Sequence, residues 1–95
     1  MSNGAPLQRS DVVELDPRYL FRWEERQQAY VLLYPEGLVK LNATAGAILA
    51  EVANTAEIGV LIDNLTEKHE QQDIAGDILE FLEQSHERGW IRIKR

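Results

Sequence analysis

The stretch Y-P-E-G-L-V-K-L-N-A-T, residues 34–44, combines a turn, a short strand and the start of a helix. Its proline presets the backbone φ angle and its glycine tolerates positive φ, so the pair predicts a reverse turn. Leu38–Leu41 then predicts a short apolar strand. The side-chain oxygen of Asn42 or Thr44 suits the first turn of a helix. Because this strand ends so soon, the pairing of its second edge becomes the main question that the sequence raises.

Two more strands are predicted upstream of this stretch. Residues 18–24 alternate with period two and bring three aromatic side chains to one face. Residues 29–34 are rich in strand-forming side chains. Short connections join these segments, which predicts an antiparallel meander with 29–34 at its centre and 38–41 at one edge.

Apolar residues at helical spacing predict three helices, at about 43–53, 56–68 and 71–88, the last opened by Gln71-Gln72-Asp73. Asn54 and Glu57 fit a capping-box variant at the start of the second helix. The W-I-R-I segment after the third helix predicts either a short strand or an ordered tail. The predicted fold class is therefore α+β and winged-helix-like, with a three-stranded antiparallel sheet followed by a three-helix bundle.

Chain length and the N-terminal sequence bear on domain organisation and location. The chain has 95 residues, which predicts a single domain. Residues 1–15 show no periodicity, so we expect a flexible N-terminal arm there and a folded winged-helix-like domain over 16–95. The sequence has neither the apolar core of a signal peptide nor an apolar run near the ~20 residues of a membrane helix. We therefore expect a cytoplasmic location and no membrane partner.

The sequence predicts no catalytic or metal site. The absence of cysteine excludes disulfides, thiolate metal sites and cysteine nucleophiles. His69 and Glu70 begin an H-E-x-x-H motif whose second histidine is missing. Ser85, His86 and Glu87 are adjacent on one helix and point in different directions, so they cannot form a catalytic triad. We expect a protein that is not an enzyme and that needs no cofactor or metal.

The charge of the chain argues against a nucleic-acid partner. Its net charge is −6 and its pI about 4.8, whereas phosphate contacts need a basic face. The alternative function is a winged-helix DNA-binding transcriptional regulator, which would need a basic recognition helix. The third predicted helix instead carries Asp73, Asp77, Glu80, Glu83 and Glu87 against Arg88.

The predicted strand Leu38–Leu41 leaves one row of main-chain groups without a partner in the meander. Lys40 can be the charge that protects such an edge from association. Alternatively, the edge is open and a peptide adds to it as a further strand. Ala75, Leu79 and Leu82 on the third helix either flank a groove beside this edge or only pack on the other helices. An open edge would also permit strand exchange between copies, and hence a homodimer.

Two blocks of the sequence resemble the PqqD family of pyrroloquinoline quinone (PQQ) biosynthesis. They are R-W-E-E-R-Q-Q-A-Y-V-L-L-Y-P-E-G-L-V-K-L-N at 22–42 and F-L-E-Q-S-H-E-R-G-W-I at 81–91, and the resemblance covers about residues 17–93. It implies a non-catalytic peptide chaperone that binds the precursor peptide PqqA and presents it to the radical SAM enzyme PqqE. It also implies the fold of the leader-recognition element found in other ribosomal peptide-modifying systems, known as the RiPP recognition element.

The resemblance further implies that the peptide lies as an added strand between the third strand and the third helix. The implied peptide-binding residues are Leu38, Val39, Lys40, Leu41, Ile78, Leu79 and Leu82. Trp90 resembles the family's tryptophan after the last helix, and we expect it to close the core. Ala53-Asn54-Thr55 is shorter than the D-G-x-x-[ST] turn of many relatives, so the resemblance does not define where the second helix begins.

Overall fold

The computed structural model describes residues 7–54, 56–69 and 74–94. Its fold class is α+β, as predicted. The helices and strands in chain order are β1 Val12–Leu15, β2 Leu20–Glu24, β3 Ala29–Tyr34, β4 Gly37–Lys40, α1 Ala43–Val52, β5 Ala56–Glu57, α2 Ile58–His69, α3 Ala75–Glu87 and β6 Ile91–Ile93. None of the described helices is long and apolar enough to cross a membrane. The predicted opening of the third helix at 71–73 lies outside the described residues.

The described strands form two antiparallel sheets of three strands each. The meander sheet has the order β2-β3-β4, which confirms the predicted hairpin arrangement, and the small sheet has the order β5-β1-β6. The predicted order of one sheet followed by three helices is therefore incomplete. β1 precedes the meander, β5 lies between α1 and α2, and β6 follows α3.

The first strand lies inside the range 1–15, so the expected flexible arm does not extend over Val12–Leu15. Val13 is fully buried and pairs with Ala56 on one side and Ile93 on the other. Four residues are too few to show a reliable alternation, and both partner strands are distant in sequence. Pairing with strands that are remote in sequence therefore stabilises β1, so the local sequence pattern could not predict this strand.

The meander sheet presents an apolar inner face to the rest of the molecule. Leu32 at its centre faces Phe21 on β2 and Val39 on β4, and all three pack in or against the core. Aromatic contacts extend this face: the Phe21 ring stacks on Tyr30 at 4.7 Å, and Trp23 meets the same ring edge-on at 5.2 Å. These contacts confirm that alternation in β2 brings its aromatic side chains to one face.

The core is shared by both sheets and all three helices. Its fully buried members include one residue from each of these elements: Val13 from β1, Leu32 from β3, Leu49 from α1, Leu61 from α2 and Leu82 from α3. Trp90 is also buried in this cluster, as expected. One continuous core therefore fixes α1 and α3 relative to the end of β4.

The start of α1 is set by a side-chain cap and a close helix–sheet approach. The Asn42 carboxamide oxygen accepts a hydrogen bond from the Ala45 amide at 2.7 Å, so Asn42 rather than Thr44 is the cap. Gly46 lies so close to the sheet that an added Cβ would stand 2.9 Å from Cδ2 of Tyr30. The helix therefore begins immediately after β4 and packs directly on β3.

The second helix begins without the predicted capping box, and that prediction is wrong. Glu57 belongs to β5 and precedes the helix, so it is not a third-position residue of α2. Main-chain carbonyls bind the first amides instead: Ile58 donates to Asp11 at 2.9 Å and Gly59 donates to Arg9 at 2.8 Å. The segment before β1 therefore takes the place of a side-chain cap.

The end of α3 redirects the chain into the small sheet. Gly89 has a φ of +82°, its amide donates to the His86 carbonyl at 3.1 Å, and the Trp90 amide donates to Ser85 at 2.9 Å. These two bonds form a Schellman motif, which requires a left-handed residue and so favours glycine. The following residues form β6, which settles the predicted choice between a short strand and an ordered tail.

Candidate functional site

One edge of the meander sheet, formed by β4, is unpaired among the described strands. The Leu41 amide donates to the Tyr30 carbonyl at 2.9 Å, which fixes how hydrogen bonds alternate along the ladder. Because bonded and non-bonded pairs alternate in antiparallel strands, Val39 also directs its main chain toward β3. The amide and carbonyl groups of Leu38 and Lys40 consequently point away from the sheet. This free edge is the main-chain feature that a further strand requires.

The side chains of this edge alternate between the two faces of the sheet. Val39 is half-buried and Leu41 is 5% exposed, and both lie on the inner face. Leu38 is 43% exposed on the outer face, and Lys40 is exposed beside it. Of the four strand residues predicted to bind peptide, Leu41 is thus a core residue, while the other three retain accessible surface.

The predicted residues of α3 differ in the same way. Leu82 is fully buried, Ile78 is 3% exposed, and Leu79 is half-buried against the core. The Leu82 side chain therefore shapes the core and has no surface to offer. Ile78 nevertheless lines a cavity of about 300 Å³ between α1 and the start of α3, together with Ala43, Thr44, Ala47, Ile48, Leu65, Ile74 and Asp77.

A second cavity, of about 440 Å³, lies where β4 meets α1. Its lining comes from the turn between β2 and β3, the end of β4 and the first turns of α1: Trp23, Gln27, Gln28, Ala29, Tyr30, Lys40, Leu41, Asn42, Ala43 and Ala47. Ala43 and Ala47 line both cavities, so the two adjoin along one face of α1. We call this pair of cavities the α1 groove. It connects the end of β4 with the start of α3.

The sequence did not indicate that α1 contributes to the site. Ala43 and Ala47 are four positions apart and therefore share a helix face, and their small side chains leave the space that the cavities occupy. Alanine carries no chemical signal in a sequence. The signal that the sequence did contain was the four-residue spacing of these two alanines, directly after the strand and the capping asparagine.

The charges around the edge are sparse. Arg22 on the outer face is paired with Glu24, with 3.0 Å between its guanidinium nitrogen and the carboxylate oxygen. Lys40 makes no ion pair with any residue that the structure describes. In the same described part of the chain, no three His, Asp or Glu side chains converge as metal ligands would. The site offers main-chain hydrogen bonds, apolar surface and one unpaired cation.

Comparison with known proteins identifies the family. The family model of "Coenzyme PQQ synthesis protein D (PqqD)" matches residues 29–91, which run from β3 to the start of β6. A "PqqA binding protein" of Methylococcus capsulatus is 42% identical over 86 residues, covering 90% of this chain and 92% of the relative. Another of that name from Azotobacter vinelandii is 44% identical over 85 residues, covering 88% and 92%.

A solved structure shares the fold. It is the solution NMR structure of the PqqD truncation of Methylobacterium extorquens PqqCD, described as a functional, stand-alone RiPP recognition element. The TM-score is 0.73 at 25% sequence identity, with 90% of this chain and 93% of that chain covered. Matching sequence blocks, relatives that span almost the whole chain and a common fold agree, so this chain belongs to the PqqD family.

Proposed function

We propose that this chain is a non-catalytic chaperone of PQQ biosynthesis that binds the precursor peptide PqqA by strand addition at β4. The free edge carries the proposal, because Leu38 and Lys40 direct their main-chain groups away from the sheet. Relatives called PqqA binding proteins match nearly the full chain and support the choice of ligand.

The bound peptide would extend the meander sheet as a strand beside β4. Its main chain would exchange hydrogen bonds with Leu38 and Lys40, and alternate side chains would point to opposite faces. Those on the inner face would pass Val39 toward α3, where Leu79 and the α1 groove offer apolar surface. Leu41, Ile78 and Leu82 would support these walls from within the core.

The second part of the proposal is presentation of PqqA to the radical SAM enzyme PqqE. A chaperone that holds the peptide and docks on the enzyme raises the effective concentration of substrate near the active site. This role requires no catalytic group in the chain. It does require that the chaperone and the enzyme share one compartment, which we propose is the cytoplasm. A second copy could occupy the same edge by strand exchange, so a homodimer is the competing state of the free protein.

A titration of ¹⁵N-labelled protein with synthetic PqqA tests the binding site. Amide shifts should cluster at 37–41, at 43–47 and in the first turns of α3. Shifts that centre on β2, the other edge of the meander sheet, would contradict strand addition at β4.

Sedimentation of the free protein over a concentration series would show whether peptide must displace a second copy. Anisotropy of labelled PqqA, with the chaperone saturating and PqqE added, tests presentation as a ternary complex.

The DNA-binding alternative gains no support from α3. Its exposed surface carries Asp77, Glu80, Glu83 and Glu87, whereas a recognition helix needs cations for phosphate contacts. In a gel-shift assay at low salt, we expect that the protein does not retard duplex DNA.

A further inference from the structure

The outer face of the meander sheet carries two cross-strand rows that reach the free edge. One row is Leu20, Leu33 and Leu38, in register across the three strands. Its two end leucines are 57% and 43% exposed, so apolar surface continues to the edge of β4. A strand added there would find an unfinished apolar row.

The neighbouring row is Arg22, Val31 and Lys40. Val31 is fully buried although it lies in this outer row. Arg22 is already paired with Glu24, whereas Lys40 at the edge makes no ion pair within the described residues. In a chain of net charge −6, this edge therefore presents an unpaired cation next to an exposed leucine.

Antiparallel pairing fixes which residues of an added strand meet these two side chains. Leu38 and Lys40 direct their main chains outward, so each would form a hydrogen-bonded pair with a residue directly opposite, whose side chain lies on the same outer face. The two opposing residues would be two positions apart. Both strand pairs of the meander sheet are antiparallel. An added strand that continues this pattern would run against β4 and would pass Lys40 before Leu38.

We infer that β4 selects a strand with an acidic residue followed, two positions later, by an apolar residue. The carboxylate lies opposite Lys40, and the apolar side chain extends the leucine row at Leu38. Lys40 is then a specificity-determining residue for the proposed peptide rather than only a charge that protects the edge. This inference rests on the proposed function, because it concerns the peptide bound at the same edge.

A charge-exchange experiment tests the inference. PqqA peptides in which each Asp or Glu in turn is replaced by Lys are titrated into wild type and Lys40→Glu. We expect Lys40→Glu to weaken wild-type PqqA about tenfold, since it loses an attraction and gains a like-charge pair. A single exchanged peptide should recover most of that loss. Lys94→Glu, which makes the same change of net charge just after β6, is the matched control and should have a smaller effect.

The apolar position is tested by a double-mutant cycle. Replacing the peptide residue two positions after the recovered site by Ala should weaken binding to wild type severalfold, and much less to Leu38→Ala. Leu20→Ala, at the far end of the same row, should not change that effect.

Equal weakening by Lys40→Glu and Lys94→Glu, with no peptide that recovers binding, would overturn the inference while leaving PqqA binding intact. Recovery at an acidic residue that follows the apolar one would also overturn it, since the order would contradict antiparallel pairing. Failure of wild type to bind PqqA at all would overturn the proposed function together with the inference.

Discussion

Proline at position 38 would remove one main-chain donor from the free edge while preserving the sheet. The Leu38 amide points away from β3, so its loss breaks no bond of the β3–β4 ladder. Gly37 precedes it and has no Cβ to clash with the proline ring. Leu38→Pro should therefore fold normally and bind PqqA more weakly.

The size of the effect follows from the number of donors at the edge. Leu38 and Lys40 offer one amide each, and a net hydrogen bond contributes about 1 kcal/mol. Relative to the alanine variants at the same positions, loss of one amide corresponds to a roughly fivefold rise in Kd, and loss of both in Leu38→Pro/Lys40→Pro to about 25-fold if the two add. Val39→Pro removes an amide that faces β3 and should instead lower the free energy of unfolding by at least ~1 kcal/mol.

Calorimetric titration with PqqA gives the Kd, and denaturant unfolding monitors the fold. Leu38→Ala is the matched control, because it removes the same side chain and retains the amide. The reasoning is refuted if Leu38→Pro and Leu38→Ala bind PqqA equally well. That outcome would mean that the peptide uses the exposed leucine but not the main-chain edge.

Three further predictions concern stability. Gly46→Ala should lower the free energy of unfolding by about 1 kcal/mol, because crowding against Tyr30 at 2.9 Å outweighs the gain in helix propensity. Asn42→Ala should lower it by about 1 kcal/mol through loss of the helix cap; denaturant unfolding measures both changes. Hydrogen bonds from Arg18 lower the pKa of Asp16 below its ordinary value of 3.8. The stabilisation is therefore complete above that value and lost as the pH falls through the lower folded pKa, so Asp16→Asn should flatten the acid limb of the pH–stability curve.

Each of these predictions has a control within the chain. Gly76→Ala should stabilise the protein, because among the described residues no atom beyond its chain neighbours and its own helix backbone lies within 4 Å of an added Cβ. A destabilised Gly76→Ala would mean that backbone effects, and not the ring contact, explain Gly46. Thr44→Ala should change stability little, since its exposed side chain is not the cap. An acid limb that stays unchanged in Asp16→Asn would assign the pH dependence to other carboxylates.

Local patterns predicted those parts of the fold that are stabilised by neighbours in sequence. The meander sheet, the three helices and the glycine after α3 all leave periodic or turn signals. β1 and β5 did not, because each is short and pairs with remote strands. The start of α2 was mispredicted since carbonyls of Arg9 and Asp11 replace the expected side-chain cap.

The candidate site likewise combines features that the sequence predicted with features that depend on tertiary packing. The free edge follows from the predicted strand order, whereas the outward direction of the Leu38 and Lys40 main chains depends on the observed Leu41–Tyr30 hydrogen bond. The α1 groove depends on the placement of α1 against β3, and the lining alanines carry no signal of their own. Burial of Leu41 and Leu82 likewise depends on tertiary packing, which an amphipathic pattern does not resolve.

The antiparallel pairing of β1 with β6 has a consequence for tethering. Val13 faces Ile93, and the Lys94 amide donates to the Val12 carbonyl at 2.7 Å, so the two strands bring the early and late parts of the chain to a single corner. A linker attached after β6 would depart from that corner, whereas one on the N-terminal side must begin before Leu7, because Leu7 is buried and the Arg9 and Asp11 carbonyls bind the first amides of α2. Covalent fusion to a partner enzyme after β6 would thus leave the small sheet and the start of α2 intact, with linker length as the variable that sets reach.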